Sequence, residues 1–82
     1  MDVASTSAIE RIARVLAGLR ISTNADGDDA HASGAVDATW HDFREDAIAI
    51  LKTLREPDAA MERVGYIAIW SRMIAAALDE TA

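Results

Sequence analysis

The sequence predicts an all-α domain, a small bundle of three to four helices. Apolar residues recur at steps of three and four in three separate segments, and no strand is predicted. The 82-residue length allows one domain, spanning residues 1–82. The expected helices cover about residues 8–20, 39–56, 58–64 and 66–80.

The first helix, at about 8–20, is predicted by one apolar stripe. Ser7 followed by Glu10 fits a capping box that would satisfy free backbone N–H groups at its start. Arg20 lies at its expected end, where a cation suits the helix dipole. The stripe consists of Ala8, Ile9, Ile12, Val15, Leu16 and Leu19.

The second helix, at about 39–56, has acidic residues in its first turns and basic residues in its last, which matches the helix dipole. Thr39 or Asp37 can cap it. Pro57 ends it, because the residue before a proline avoids the helical conformation. Its expected apolar face is Trp40, Phe43, Ala47, Ile50, Leu51 and Leu54.

The third apolar segment changes its hydrophobic phase near Gly65. The pattern allows either a short helix followed by a longer one, or one kinked helix. We favour the first arrangement, with helices at about 58–64 and 66–80.

Residues 21–38 show no periodicity and are predicted to form a flexible acidic loop. Within it, STNADGDDAHAS resembles a calcium-binding loop around Gly27. An EF-hand needs a carboxylate at its first position and a bidentate glutamate at its twelfth. Here those positions hold Ser22 and Ser33, so calcium chelation is not expected.

Composition excludes several classes of function. The formal net charge is −6 and the eight basic residues are scattered, so direct binding of nucleic acid is not expected. The chain has no cysteine, no basic leader followed by an apolar stretch and no apolar run that could span a membrane. We therefore expect a cytoplasmic protein without a membrane segment.

The side chains that usually carry catalysis or bind metals do not assemble into a recognisable set. His41 and Glu45 stand at i and i+4, but no third ligand accompanies them. Nucleophile, base and orienting group cannot be assigned. We predict no enzyme activity, no metal site and no cofactor.

The last helix has an apolar arc of roughly 180°, wider than a helix packed on one side of a bundle needs. We therefore expect it to self-associate as a homodimer, with Tyr66, Ile69, Trp70 and Met73 at the interface. For Trp40 and Trp70, both core packing and an interface role remain open.

A second hypothesis is an acidic regulator that binds a basic or nucleic-acid-binding protein by charge mimicry. It rests on the net charge and on a group of aspartates. These are Asp26, Asp28, Asp29 and Asp37.

The stretches LREPDAAM and IWSRMIAAALDE resemble small helical proteins of alphaproteobacterial prophages. Those proteins carry an N-terminal helix like IERIARVLAGL, a variable linker, a helix like WHDFREDAIAILKTLREP and a closing helix of the W-R-x-M-I-D-A-A-L type. The resemblance implies a phage-derived accessory or structural role. It implies no activity and no functional residues.

Overall fold

A computed structural model of the chain describes residues 3–24 and 32–79. Within that part every regular element is helical, which confirms the all-α bundle. α1 packs against α2, against the 3₁₀ turn, against α3 and, less extensively, against α5. The elements in chain order are α1 (Ala8–Asn24), α2 (Ala32–Thr39), a 3₁₀ turn (Trp40–Phe43), α3 (Arg44–Thr53), α4 (Ala59–Glu62) and α5 (Ile67–Asp79).

The start of α1 is capped by Ser7, as predicted. The Ser7 hydroxyl accepts a hydrogen bond from the Glu10 backbone N–H at 3.1 Å. The Glu10 carboxylate bonds to Arg14 Nε at 2.8 Å, one helical turn further along. One half of the predicted capping box is therefore present, and the Glu10 carboxylate supports the helix surface instead.

The buried face of α1 differs from the predicted stripe. Ile9, Ala13 and Ala17 are buried, whereas Val15 and Leu19 are 60% and 61% exposed. The two alanines let neighbouring helices approach closely, so the packed face is centred on them rather than on the largest apolar side chains. The prediction that Val15 and Leu19 face the core was wrong.

The prediction of a loop at residues 21–38 was also wrong over much of that range. α1 continues to Asn24, beyond the expected end at Arg20, and residues 32–39 form α2. α2 consists mostly of small residues and has no strong apolar stripe, so its packing on α1 is what stabilises it. The expected flexibility of residues 25–31 and the centre of the calcium-loop pattern lie outside the described residues.

The predicted helix at 39–56 is divided. Its first turn is the 3₁₀ turn, and the regular α-helix α3 ends at Thr53 rather than at Glu56. No side chain caps the 3₁₀ turn, because the Thr39 hydroxyl donates to the Ala35 carbonyl at 2.7 Å. Ala47 and Leu51 are buried as predicted, but Ile50 and Leu54 stay partly exposed.

The helical structure is interrupted near Gly65, as the change of hydrophobic phase predicted. α4 is shorter than the expected 58–64, and Asp58 caps it by accepting a hydrogen bond from the Met61 N–H at 3.0 Å. α5 begins at Ile67 after an irregular turn. α4 and α5 therefore meet at an elbow rather than forming one long helix.

Two side chains of α5 tie it to the end of α3. The Trp70 indole N–H donates to the Leu54 carbonyl at 2.6 Å, and the Ser71 hydroxyl donates to the Arg55 carbonyl at 3.1 Å. Carbonyls at a helix C-terminus lack partners within the helix. These two bonds supply partners from another helix and fix the position of α5 relative to α3.

The core of the described residues is small. Six apolar residues are buried, and the three that are fully enclosed are all alanines. Half-buried side chains pack around them, including Trp40, Phe43 and Trp70. A core of this size leaves a narrow margin of stability. The buried residues are Ile9, Ala13, Ala17, Ala47, Leu51 and Ile74.

We expect Gly18→Ala to stabilise the protein by about 0.5–1 kcal/mol, because glycine is a poor residue in a helix interior. A β-carbon at Gly18 would meet the Val36 side chain at 3.7 Å, an ordinary van der Waals distance. Urea unfolding followed by circular dichroism measures the change. A loss of stability would mean that α1 and α2 pack more tightly than this contact indicates.

Candidate protein interface

The four predicted interface residues lie on one surface of α5 and the turn before it. Tyr66 is 79% exposed, Met73 62% and Ile69 46%. Trp70 is half-buried, because its ring packs against the core while its indole N–H binds Leu54. We call these four residues the C-terminal apolar face. Trp70 thus packs on the core and also forms part of this face.

All four residues line one groove at the elbow between α4 and α5. This elbow groove has a volume of about 300 Å³. Its other walls come from residues outside the predicted interface. They are Pro57, Met61, Glu62, Val64, Gly65 and Ile67.

A second hollow lies further along α5, against the N-terminal segment. This N-terminal hollow has a volume of about 350 Å³. Met73 lines both the elbow groove and the N-terminal hollow. The remaining lining residues are Val3, Ala4, Thr6, Ser7, Ala8, Arg11, Ala76 and Ala77.

Five large apolar side chains of the elbow region are exposed by 43–89%. Specific interfaces bury at least roughly 600 Å² on each subunit, and exposed side chains of this size offer an area of that order. A contiguous exposed apolar patch of that size is typical of an interaction site. The five side chains are Val64, Tyr66, Ile67, Ile69 and Met73.

Electrostatic contacts occur elsewhere, where α2 meets α1. Arg14 binds Asp37 and Glu10, and its guanidinium carbon lies 5.4 Å from the centre of the Trp40 ring. The hydrogen bond to Asp37, followed in size of effect by the hydrogen bond to Glu10, raises the pKa of Arg14 above its ordinary value. Asp37, one of the aspartates of the charge-mimicry hypothesis, is thus paired within the chain.

His41 and Glu45, the pair with a possible metal-ligand spacing, line neither hollow. The rings of His41 and Trp40 have centroids 3.8 Å apart. In the described segments, no three His, Cys, Asp or Glu residues group together in a way that could hold a metal ion. Asp26, Asp28 and Asp29 lie outside those segments. Over the same residues, no helix is long and apolar enough to cross a membrane.

Comparisons with protein-family models, with curated proteins and with solved structures found no match to this chain. The resemblance to prophage proteins therefore stays a prediction.

Hydrophobic periodicity did not indicate the part of this surface that precedes α5. Val64 is 89% exposed, and Met61 and Pro57 line the elbow groove beside it. Their phase differs from that of α5, so a helical projection places them on the opposite side. Only the bend at the elbow brings both apolar sets to one groove.

Proposed function

We propose that this protein is a non-catalytic interaction module that forms a homodimer through its C-terminal apolar face. The observation that carries the proposal is the exposure of Tyr66, Ile69 and Met73 around one groove of a single chain. Covering that groove removes apolar surface from water, the main driving force of association.

A second copy is the occupant that we favour, for two reasons. The core of one chain is small, and association with an identical chain is a common source of stability for domains of this length. Twofold dimers are also the commonest protein oligomers, and they pair one surface with itself. We place the dimer in the cytoplasm, as the sequence led us to expect.

The first test replaces Met73 with glutamate. We expect the wild-type chain to be a dimer at tens of micromolar, measured by size-exclusion chromatography with light scattering. Met73→Glu should raise the Kd of the dimer by about 100-fold or more, because it would bury an unpaired charge at the centre of the contact. A wild-type chain that is monomeric at this concentration would contradict the proposal.

Leu19→Glu is the matched control for this test. Leu19 is 61% exposed and Met73 is 62% exposed, and both changes add one negative charge. Leu19 lies on α1, two turns away from Arg11, and lines neither hollow. The control variant should therefore dimerise like the wild type, and circular dichroism should show that both variants remain helical.

Salt distinguishes this proposal from charge mimicry. Each copy carries a net charge of −6, so salt should screen the repulsion between copies and leave the dimer unchanged or tighter. Binding of an acidic mimic to a basic partner weakens steeply with salt.

A phage-derived origin rests on the sequence resemblance alone, and phage genes beside the coding gene would support it.

A further inference from the structure

The two hollows on the exposed side of α5 lie at different levels of the helix. The elbow groove is lined by Tyr66 and Ile69, and the N-terminal hollow by Ala76 and Ala77. At 1.5 Å per residue, Tyr66 and Ala76 are about 15 Å apart along the helix axis. Met73 stands between the hollows and lines both.

The exposed side of α5 carries large protruding side chains at some positions and small side chains at others. Tyr66, 79% exposed, stands at one end of the exposed side of α5, and the small residue Ala76, also exposed, stands near the other end. The lining of the N-terminal hollow includes the small apolar residues Ala8, Ala76 and Ala77 and the polar residues Thr6, Ser7 and Arg11. An aromatic ring with a hydroxyl group suits a hollow that is lined by both apolar and polar residues.

We propose that the α5 helices of the two copies pair antiparallel, so that Tyr66 of each copy enters the N-terminal hollow of the other. This inference rests on the proposed dimer. Ser71 is midway in sequence between Tyr66 and Ala76, and also midway between Ile69 and Met73. A twofold axis at the level of Ser71 therefore places the large Tyr66 opposite the partner's small Ala76, and Ile69 opposite the partner's Met73.

The charges at the two hollows favour the same orientation. Glu62 lines the elbow groove and Arg11 lines the N-terminal hollow, and both are exposed. Antiparallel pairing brings each elbow groove to the partner's N-terminal hollow, so Glu62 meets the partner's Arg11 twice in the dimer. Parallel pairing would instead bring like charges together, which is unfavourable.

Cysteine cross-linking tests the orientation directly, because the chain has no cysteine of its own. Tyr66→Cys and Ala76→Cys are prepared separately, and each is oxidised alone and as a mixture. We expect the disulfide to form in the mixture, between unlike chains, and not in either variant alone. Mass spectrometry separates the products, because the two variants differ in mass.

The outcomes separate this inference from the proposed function. Disulfides within each variant alone would show parallel helices and overturn the antiparallel arrangement, while the dimer would stand. A wild-type dimer by light scattering with no disulfide in any sample would overturn the antiparallel arrangement, and the Met73→Glu variant would then show whether the C-terminal apolar face is still the interface. A monomeric wild type would overturn both.

A charge exchange gives a second measurement that leaves the apolar contacts intact. Arg11→Glu and Glu62→Arg should each raise the Kd of the dimer about ten-fold, since two pairs change from attraction to repulsion. The double variant keeps the net charge of −6 and should return close to the wild-type Kd. Failure of the double variant to recover would count against the pairing of Arg11 with the partner's Glu62.

Discussion

Ala47→Leu is expected to destabilise the protein by about 2–3 kcal/mol, because a larger side chain must enter a closely packed site. Ala47 is fully enclosed and belongs to one cluster with Ile9, Ala13 and Leu51. Extra carbon atoms there force neighbouring side chains from their rotamers or push α3 away from α1. The site depends on the small size of alanine.

Thermal and urea unfolding measure this loss. For a domain of this size, 1 kcal/mol corresponds to a Tm change of about 4–8 °C, so Ala47→Leu should lower the Tm by roughly 10–20 °C. The matched control is Ala49→Leu, two residues further along α3, where the alanine is exposed. Both changes put leucine into the same helix, so the helix propensity is equal and only the surroundings differ.

We expect the control to change the free energy of unfolding by less than about 0.5 kcal/mol. If both variants unfold alike, the close approach of α1 and α3 at Ala47 is not what limits the size of this side chain.

Trp70→Ala is expected to cost about 2–3 kcal/mol. A tryptophan-to-alanine change in a full core costs roughly 3–5 kcal/mol, and the ring of Trp70 is half-buried. The change also removes the hydrogen bond to the Leu54 carbonyl. α5 would then lose both a packing contact with the core and one of its two bonds to the end of α3.

Trp70→Phe separates these two contributions. Phenylalanine keeps an aromatic ring but has no N–H donor, so we expect a smaller loss of about 1 kcal/mol. Ser71→Ala, which removes the neighbouring bond to Arg55, should cost a similar or smaller amount.

Unfolding is measured at a protein concentration at which light scattering shows monomers, so that loss of the dimer does not contribute. If Trp70→Phe were as damaging as Trp70→Ala, the hydrogen bond rather than the packing would hold α5.

Ala47 and Trp70 contribute to different contacts between helices. Ala47 stabilises the pairing of α1 with α3, whereas Trp70 joins α5 to the end of α3. α5 uses one side for this attachment and leaves Tyr66, Ile69 and Met73 exposed. The same helix can therefore anchor the chain on one side and pair with another copy on the other, as the proposed dimer requires.

Local patterns were sufficient to predict the class of the fold and several helix ends. Ser7 caps α1 because a hydroxyl three residues before a free N–H needs no tertiary contact to reach it. The break near Gly65 was visible because the hydrophobic phase on its two sides does not fit one helix. The four residues selected for the C-terminal apolar face share one groove because α5 is regular from Ile67 to Asp79 and Tyr66 directly precedes its first turn.

What required the tertiary structure were features that depend on a neighbouring helix. α2 has little apolar pattern of its own, and its packing against α1 stabilises it. Ala13 and Ala17 lie at the centre of the α1 interface because a small side chain permits close approach, a preference that hydrophobic periodicity does not register. The elbow brings Val64 beside Tyr66. Periodicity along the chain predicts which residues share a helix face, whereas the partner of that face depends on the packing of all the helices.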